Sequence, residues 1–445
     1  MKPSKVLFFI AGVLAGLALL CVALPGNVVI AGNEVRWPTI EKVLGIEEKL
    51  SVEQQVAALD YSLEPMEPLE TPLEPTESAG AATPAQPAVP VVEVNDNTDS
   101  RIFLQRFYAS LEKAGEQKVR VLHYGDSQIE EDRMTQQIRE GLQAKYGGSG
   151  VGLMPLMQTI PTNTVRQELR MNGQLIKSSQ AQQGPSRYLA YGPKKMQRND
   201  GLYGVMGQVA IMADSLVEGS EELTIVCKPQ IKSAHYDTWH VFADPSIHYS
   251  FSGDTVYLTG RGAVYGLSQE SETGVIVDNI PMRGCLGTNT FTKIDSAQLA
   301  SFCQQENVQL IILQFGGNAI PSNEKPETIK GFVTSYRKQL RHLRNCAPQA
   351  SFLFIGPSDM IRLRDGEWQT YPMVAYMDRL LQKMALEEHI AYFSLYQWMG
   401  GEGSMLRWQE NGLASKDGVH FYRSGANKAG KAVVEWLLGG MKDKH

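Results

Sequence analysis

Four short segments of this 445-residue chain carry side chains that could cooperate in nucleophilic catalysis. Gly125-Asp126-Ser127 offers a hydroxyl in a tight turn, and Asp417-Gly418-Val419-His420 sets an acid three residues before an imidazole. That spacing lets Asp417 orient the His420 ring, which can then take the proton of a serine. Gly316-Gly317-Asn318 adds a carboxamide N–H able to stabilise an oxyanion. A turn holding Gly284 and Gly287 can bring a backbone N–H close to a reacting carbonyl, because glycine puts no Cβ in the way. Each segment has a plainer reading. Gly-Asp-Ser is a common turn and helix cap, Asn tolerates left-handed turns, and Asp-x-x-His can be a helix-entry turn with a surface histidine. The order Ser127, Gly284, Asn318, Asp417, His420 along one chain lifts the set above its parts.

Regular elements must hold these residues. Lys118–Tyr124 (KVRVLHY) reads as a strand running straight into Gly125. Ile129, Met134, Ile138 and Leu142 recur at four- or five-residue steps, which predicts a helix stopped by Gly147-Gly148. Ser127 then stands at the carboxyl edge of a sheet and at the positive end of a helix, where an oxyanion would meet free N–H groups. Glu130, Glu131 and Asp132 become first-turn acids favoured by the macrodipole. Val308–Phe315 (VQLIILQF) is a buried type of strand before Asn318, and Val275–Asn279 another before Gly284. A last helix with an apolar stripe of Ala429, Val433 and Trp436/Leu437 follows His420. His123 either lines the site or is buried for structural reasons, and Trp398 and Trp408 either wall a cleft or pack loops. Glu387, Glu388 and His389 read as a solvated helix end.

The composition narrows the class. With 48 acidic against 42 basic residues the net charge is −6, and no basic block argues for nucleic acid. The five cysteines form no CxxC pair, which excludes a disulfide framework or a zinc ribbon. Lys2 and Lys5 precede an uncharged apolar run from Val6 to Leu24, long enough for a bilayer-crossing helix with its N-terminus in the cytoplasm. Cys21 follows Leu20 where a lipoprotein signal would want a small residue, so it reads as a membrane-buried thiol. Cleavage nearby would convert the anchor into an export signal. Seven of the 22 prolines fall between Pro65 and Pro90, and the Glu-Pro repetition from Leu63 reads as a disordered, semi-rigid spacer. The expected division is 1–24 signal anchor, 25–98 juxtamembrane and linker, 99–147 and 271–445 the two parts of one catalytic domain, and 148–270 an insertion.

The four blocks, GDS at 125–127, a turn glycine at 284, GGN at 316–318 and DGVH at 417–420, resemble the SGNH (GDSL-type) hydrolase superfamily. The resemblance covers about 101–147 and 271–445. It implies a three-layer α/β/α sandwich on a flavodoxin-like parallel sheet. It also implies Ser127 as nucleophile, His420 as base, Asp417 as its orienter, and Gly284 and Asn318 with the Ser127 N–H as the oxyanion hole. Some positions depart from the pattern. Gln128 stands where leucine is frequent, which matters little for chemistry on this reading. PMRGCLG (281–287) lacks the usual lead of block two, and Ala319 replaces a frequent acid. The runs GGSGVGLMP (147–155), GPSDM (356–360) and YQWMGGEGSMLRWQENGLASKDGVHF (396–421) are similar to peptidoglycan O-acetylesterase-type members, which also carry a β-rich module between blocks one and two.

Within 148–270, short strands such as Gly207–Met212, Glu222–Cys227, Trp239–Phe242 and Thr255–Leu258 are spaced by turn residues, the pattern of a β-sandwich or jelly roll. Its aromatics (Tyr188, Tyr191, Tyr203, Tyr236, Trp239, Tyr249, Tyr257) are either a glycan-facing surface or sandwich core. His235, His240 and His248 lack the accompanying ligands of a metal site, and no metal or cofactor is expected. The whole is expected to be an acetylesterase acting on peptidoglycan or another envelope glycan. It would be held in the inner membrane with its catalytic domain in the bacterial periplasm, or exported if the signal is cleaved. The same triad with a sugar acceptor would make an O-acetyltransferase, and the same fold without chemistry a glycan-binding scaffold.

Overall fold

A computed structural model describes residues 98–154 and 263–439 apart from Asp295, together with 90–94, 162–171, strands lying between 174 and 260, and an N-terminal hairpin. The hairpin pairs Asn27–Ile30 with Asn33–Arg36. The expected membrane helix over 6–24 and the Glu-Pro repeats of the spacer lie outside the described residues. Among the described residues no helix is long and apolar enough to cross a membrane.

The sheet that carries Ser127 and Asn318 at its edge is built on five parallel strands: β1 (Lys118–Gly125), β2 (Gly274–Pro281), β3 (Val308–Gln314), β4 (Ser351–Ile355) and β5 (Ala391–Phe393). They lie in the order β2-β1-β3-β4-β5. That is the flavodoxin-like arrangement, in which ligands bind outside the carboxyl ends of the strands where the order reverses, here between β1 and β3. The strands are largely apolar because both faces are covered, although Arg120 and His123 on β1 and Asp278 on β2 are buried among them. Val119 and Val121 point into one core, Leu122 and Tyr124 into the other. The first core is closed by α1 (Gln105–Leu111), α2 (Thr135–Tyr146) and α6 (Arg423–Gly439). The second is closed by α3 (Ser296–Gln305), α4 (Pro326–Cys346) and α5 (Val374–Glu387). Helices α2 and α6 cross closely, for a Cβ at Gly141 would stand 2.6 Å from Val434.

Several expectations change. The helix expected from Ile129 begins at Thr135, and residues 127–132 form a kinked 3-10 turn instead. The apolar spacing misled because Ile129 and Met134 are buried there without being helical. Glu130–Asp132 therefore precede α2 and are not its first-turn acids, although Glu130 does stand in the first turn of the 3-10 segment. Glu388 is not a solvated terminus either, since it is 6% exposed and paired with Arg341 and Arg344. Trp398 and Trp408 stack edge to face and pack with Phe393 and Phe421, which makes them loop packing and not a cleft wall.

Between α2 and β2 the chain forms two five-stranded antiparallel sheets. One includes Thr238–Ala243, Ala263–Glu270, Val209–Met212, Leu189–Tyr191 and Gly152–Met154; the other, Ile247–Ser252, Thr255–Gly260, Leu223–Pro229, Val165–Met171 and Gln174–Leu175. The ends of the insertion meet where Gly152–Met154 pairs with Ala263–Glu270. Gly148 there lies so close to β2 that a Cβ would come 2.4 Å from the Val275 carbonyl. A buried ion cluster seals this joint. Arg120 on β1 reaches Asp278 on β2 at 2.9 Å and also Glu270, while Asp278 accepts the Leu153 N–H at 2.8 Å. Trp239 is core, and Tyr249 is 47% exposed on the edge strand. His240 faces Glu270 at 3.5 Å and His248 is exposed, whereas His235, Tyr188, Tyr203 and Tyr236 lie outside the described residues.

Candidate active site

The end of β1 turns sharply at Gly125, where a Cβ would meet Ile129 at 2.9 Å and the Gln314 carbonyl at 3.2 Å. Asp126 then caps the 3-10 turn by accepting the Gln128 N–H at 3.0 Å. This sets Ser127 at the carboxyl edge of the sheet, with its Oγ 2.8 Å from His420 Nε2. The His420 Nδ1 lies 2.7 Å from Asp417 Oδ2. An ionised carboxylate only accepts, so Nδ1 carries the proton and Nε2 is the free base facing the serine hydroxyl. The other Asp417 oxygen accepts the N–H groups of Val419 and His420, both at 2.9 Å. Burial alone would raise the Asp417 pKa, but the His420 ring and the two N–H groups hold it down to about 2. Gly418 makes the loop possible. Its φ is +74°, and a Cβ there would come 2.4 Å from the Ile361 carbonyl. Ser127, His420 and Asp417 are thus one hydrogen-bonded chain, assembled from residues nearly 300 positions apart.

Asn318 follows β3 on a short turn and donates from Nδ2 to the Cys285 carbonyl at 3.2 Å. One of its two N–H bonds is used there, which leaves the second for an incoming oxyanion. Asn318 and Ser127 line the same cleft with Asp126, Gln128, Gln314, Phe315, Gly317, Gly356, Pro357, Ser358, Met360 and Val419. Gly284 is not one of the lining residues. It has φ of +67° and sits between Arg283, whose guanidinium grips Glu130 at 2.6 and 2.7 Å, and Cys285, which holds Asn318. Gly287 has a different task, since a Cβ there would strike the Phe315 ring at 2.6 Å.

Three features escaped the sequence reading. Gln128 donates from Nε2 to the Val419 carbonyl at 2.6 Å, tying the serine turn to the loop that carries the base. Asp126 is 5% exposed in the cleft, and burial pushes its pKa up to about 6 despite the Gln128 N–H. Arg133 is buried and reaches back to the carbonyl of Ser127. The only signal for Gln128 and Arg133 was the polar run directly after the serine, and for Asp126 its place inside the Gly-Asp-Ser turn. His123 resolves to the structural alternative: it is fully buried between Gln314 and Thr135, and burial holds its pKa down to about 3, so it stays neutral.

The strand order, the serine turn after β1 and the asparagine turn after β3 give the chain the fold of an SGNH-type hydrolase. Comparison with solved structures agrees at the level of fold. A structure of a peptidoglycan O-acetylesterase aligns over 77% of this chain and 96% of its own, with a TM-score of 0.57 and 19% identity. A carbohydrate acetylesterase from Sinorhizobium meliloti aligns over 37% and 79% (TM-score 0.27, 14% identity), and an acetyl xylan esterase over 37% and 80% (0.25, 13%). These two overlap little more than a third of the chain and enter no further argument. No family model and no curated protein matches the sequence.

Proposed function

We propose that the protein is a serine carboxylic ester hydrolase that removes O-acetyl groups from an envelope glycan, peptidoglycan foremost. The observation that carries this reading is the Ser127–His420–Asp417 chain, with both hydrogen bonds at 2.8 Å or less, opening into a cleft shared with Asn318. In this reading Ser127 Oγ attacks the acetyl carbonyl while His420 Nε2 takes its proton. The N–H of Ser127 and the Asn318 Nδ2 stabilise the oxyanion, while Gly284, off the cleft lining, supports the Cys285 carbonyl that holds Asn318. His420 returns the proton to the departing sugar oxygen, leaving an acetyl-serine, and then activates a water that releases acetate. The glycan is suggested by the solved peptidoglycan O-acetylesterase, whose alignment takes in nearly all of that chain. The insertion is read as a β-sandwich accessory module, and the apolar run at 6–24 as an inner-membrane anchor or export signal that places the catalytic part in the periplasm.

The test is hydrolysis of p-nitrophenyl acetate and release of acetate from O-acetylated peptidoglycan, by wild type, Ser127→Ala and His420→Ala. Loss of at least about 10³-fold in both variants is expected. A wild-type rate equal to that of the variants would refute the hydrolase. Acetyl transfer appearing only when an acceptor glycan is added would replace it with an O-acetyltransferase.

A further inference from the structure

The sheet places Ser127, but nothing in the sheet places His420, which arrives on a loop before α6. Arg133 joins the two. Its Nη2 donates to the Ser127 carbonyl at 3.0 Å, its Nη1 to the Phe421 carbonyl at 2.9 Å, and its Nε to the Glu130 carbonyl at 3.0 Å. One rigid guanidinium fork therefore touches the nucleophile residue and the residue following the base. The group is 8% exposed, and its hydrogen bonds go to three main-chain carbonyls. A buried cation answered only by carbonyl dipoles costs stability, so its retention calls for another reason.

The backbone is bent to bring it there. Glu131 and Asp132 take consecutive left-handed conformations (φ of 60° and 62°), which non-glycine residues seldom adopt. Three contacts hold that bend. Asp132 pairs with buried Arg139 at 2.6 and 3.0 Å, Glu130 pairs with Arg283, and the Asn163 N–H from the insertion donates to the Glu131 carbonyl at 3.1 Å. Straightening 127–132 into the first turn of α2 would swing Arg133 away from both Ser127 and Phe421.

We propose that Arg133 is a positioning residue that sets the register of the His420 loop against the Ser127 turn, so that Nε2 stays within proton-transfer distance of Oγ. The inference rests on the proposed ester hydrolysis only for its kinetic readout. A displacement of about 1 Å between nucleophile and base is enough to lower the rate about 10²-fold. Phe315 and Met360, which line the cleft beside Ser127, belong to other segments, so KM should be spared.

The experiment compares Arg133→Ala and Arg133→Lys with wild type. Both variants are expected to lose about 10²-fold in kcat on p-nitrophenyl acetate, with KM changed by about twofold or less. Lysine keeps the charge but cannot span two carbonyls with a planar fork. Guanidinium ion at concentrations too low to denature should restore part of the Arg133→Ala rate, while methylammonium should not. Full activity in Arg133→Lys, or a loss confined to KM, would overturn the proposal. Should Arg133→Ala fail to fold, the lysine variant decides. A second readout does not need turnover: the low-field proton signal of the Asp417-bonded His420 Nδ1–H, followed by NMR. It should be present in wild type and lost or broadened in Arg133→Lys, and an unchanged signal in the folded variant would also overturn the assignment. A wild type that shows this signal but no hydrolysis would sink the esterase reading and leave the role of Arg133 standing.

Discussion

Replacing Asp126 by asparagine should make the protein more stable at neutral pH and less active, and the two effects have one cause. The carboxyl is buried against the cleft, and its pKa lies at about 6 in the folded protein against a reference of 3.8. A raised carboxyl pKa means that the native state binds the proton more tightly than the unfolded chain. Stability attached to this group is therefore full below about pH 4 and declines as pH rises through about 6. A carboxyl raised from 3.8 to about 6 carries a penalty of about 3 kcal/mol once it is ionised in both states. Asparagine is neutral at every pH and keeps an oxygen to accept the Gln128 N–H, being as good a cap as aspartate. Urea unfolding of wild type and Asp126→Asn between about pH 4 and pH 8 reads the effect, because titrating groups not coupled to Asp126 cancel in the difference. The variant should gain on wild type by about 1–3 kcal/mol across that range. The cost falls on catalysis: the Asp126 charge interacts favourably with a protonated His420, the species formed when the serine proton is taken. Parallel stability profiles for the two proteins would refute the reasoning.

Two further expectations concern the proposed machinery. Asn318→Ala should lower kcat about 10²–10³-fold with little change in KM or thermal midpoint, as removal of one oxyanion donor does; steady-state kinetics beside a melting curve decide it, and an effect confined to KM would reassign Asn318 to ground-state binding. Asp417→Asn should lower kcat/KM about 10²–10⁴-fold by inviting the wrong imidazole tautomer. Because the Asp417 pKa is held down to about 2, its charge is present above about pH 4 and lost only as pH falls toward 2, so no Asp417 titration should appear in a wild-type pH–rate profile measured between about pH 5 and 9.

The site was legible in the sequence wherever its geometry is local. Asp417 and His420 share one short loop, so their spacing and the glycine between them already encode the contact. The strands at 118–125 and 308–314 were legible because burial on both faces leaves long apolar runs. The turn between Ser127 and α2 was not. Its apolar residues recur at steps close to a helical period, yet the bend at Glu131–Asp132 is held by Arg139, Arg283 and Asn163, partners 7 to 153 positions away. Local periodicity cannot report such restraints. The same limit hid Gln128, which reads as an indifferent departure from a frequent leucine until its reach to the Val419 carbonyl is seen. It also hid Glu388, which reads as a surface residue until three arginines, Arg337 and Arg341 and Arg344, close over it.

This division has a consequence for how the site can change. Ser127 and Asn318 leave adjacent parallel strands, whose spacing of roughly 4.8 Å is fixed by backbone hydrogen bonds. The proposed nucleophile and the proposed oxyanion donor are therefore positioned by the least deformable part of the molecule. His420 has no such footing. Beyond a local bridge of Phe421 with Ala414, in which the Ser415 N–H donates to the His420 carbonyl at 2.8 Å, its loop is tied to the rest of the fold by three anchors: Gln128 on Val419, Arg133 on Phe421, and the Ile361 N–H on the Gly418 carbonyl at 2.9 Å. Two of those three anchors come from the serine turn itself, and that turn is in contact with the insertion through Asn163. A disturbance entering from the insertion would then reach the placement of the base before it reached the oxyanion donor. Its kinetic mark would be a slower proton transfer with the acetyl ester still bound normally, the same mark expected when Arg133 is removed.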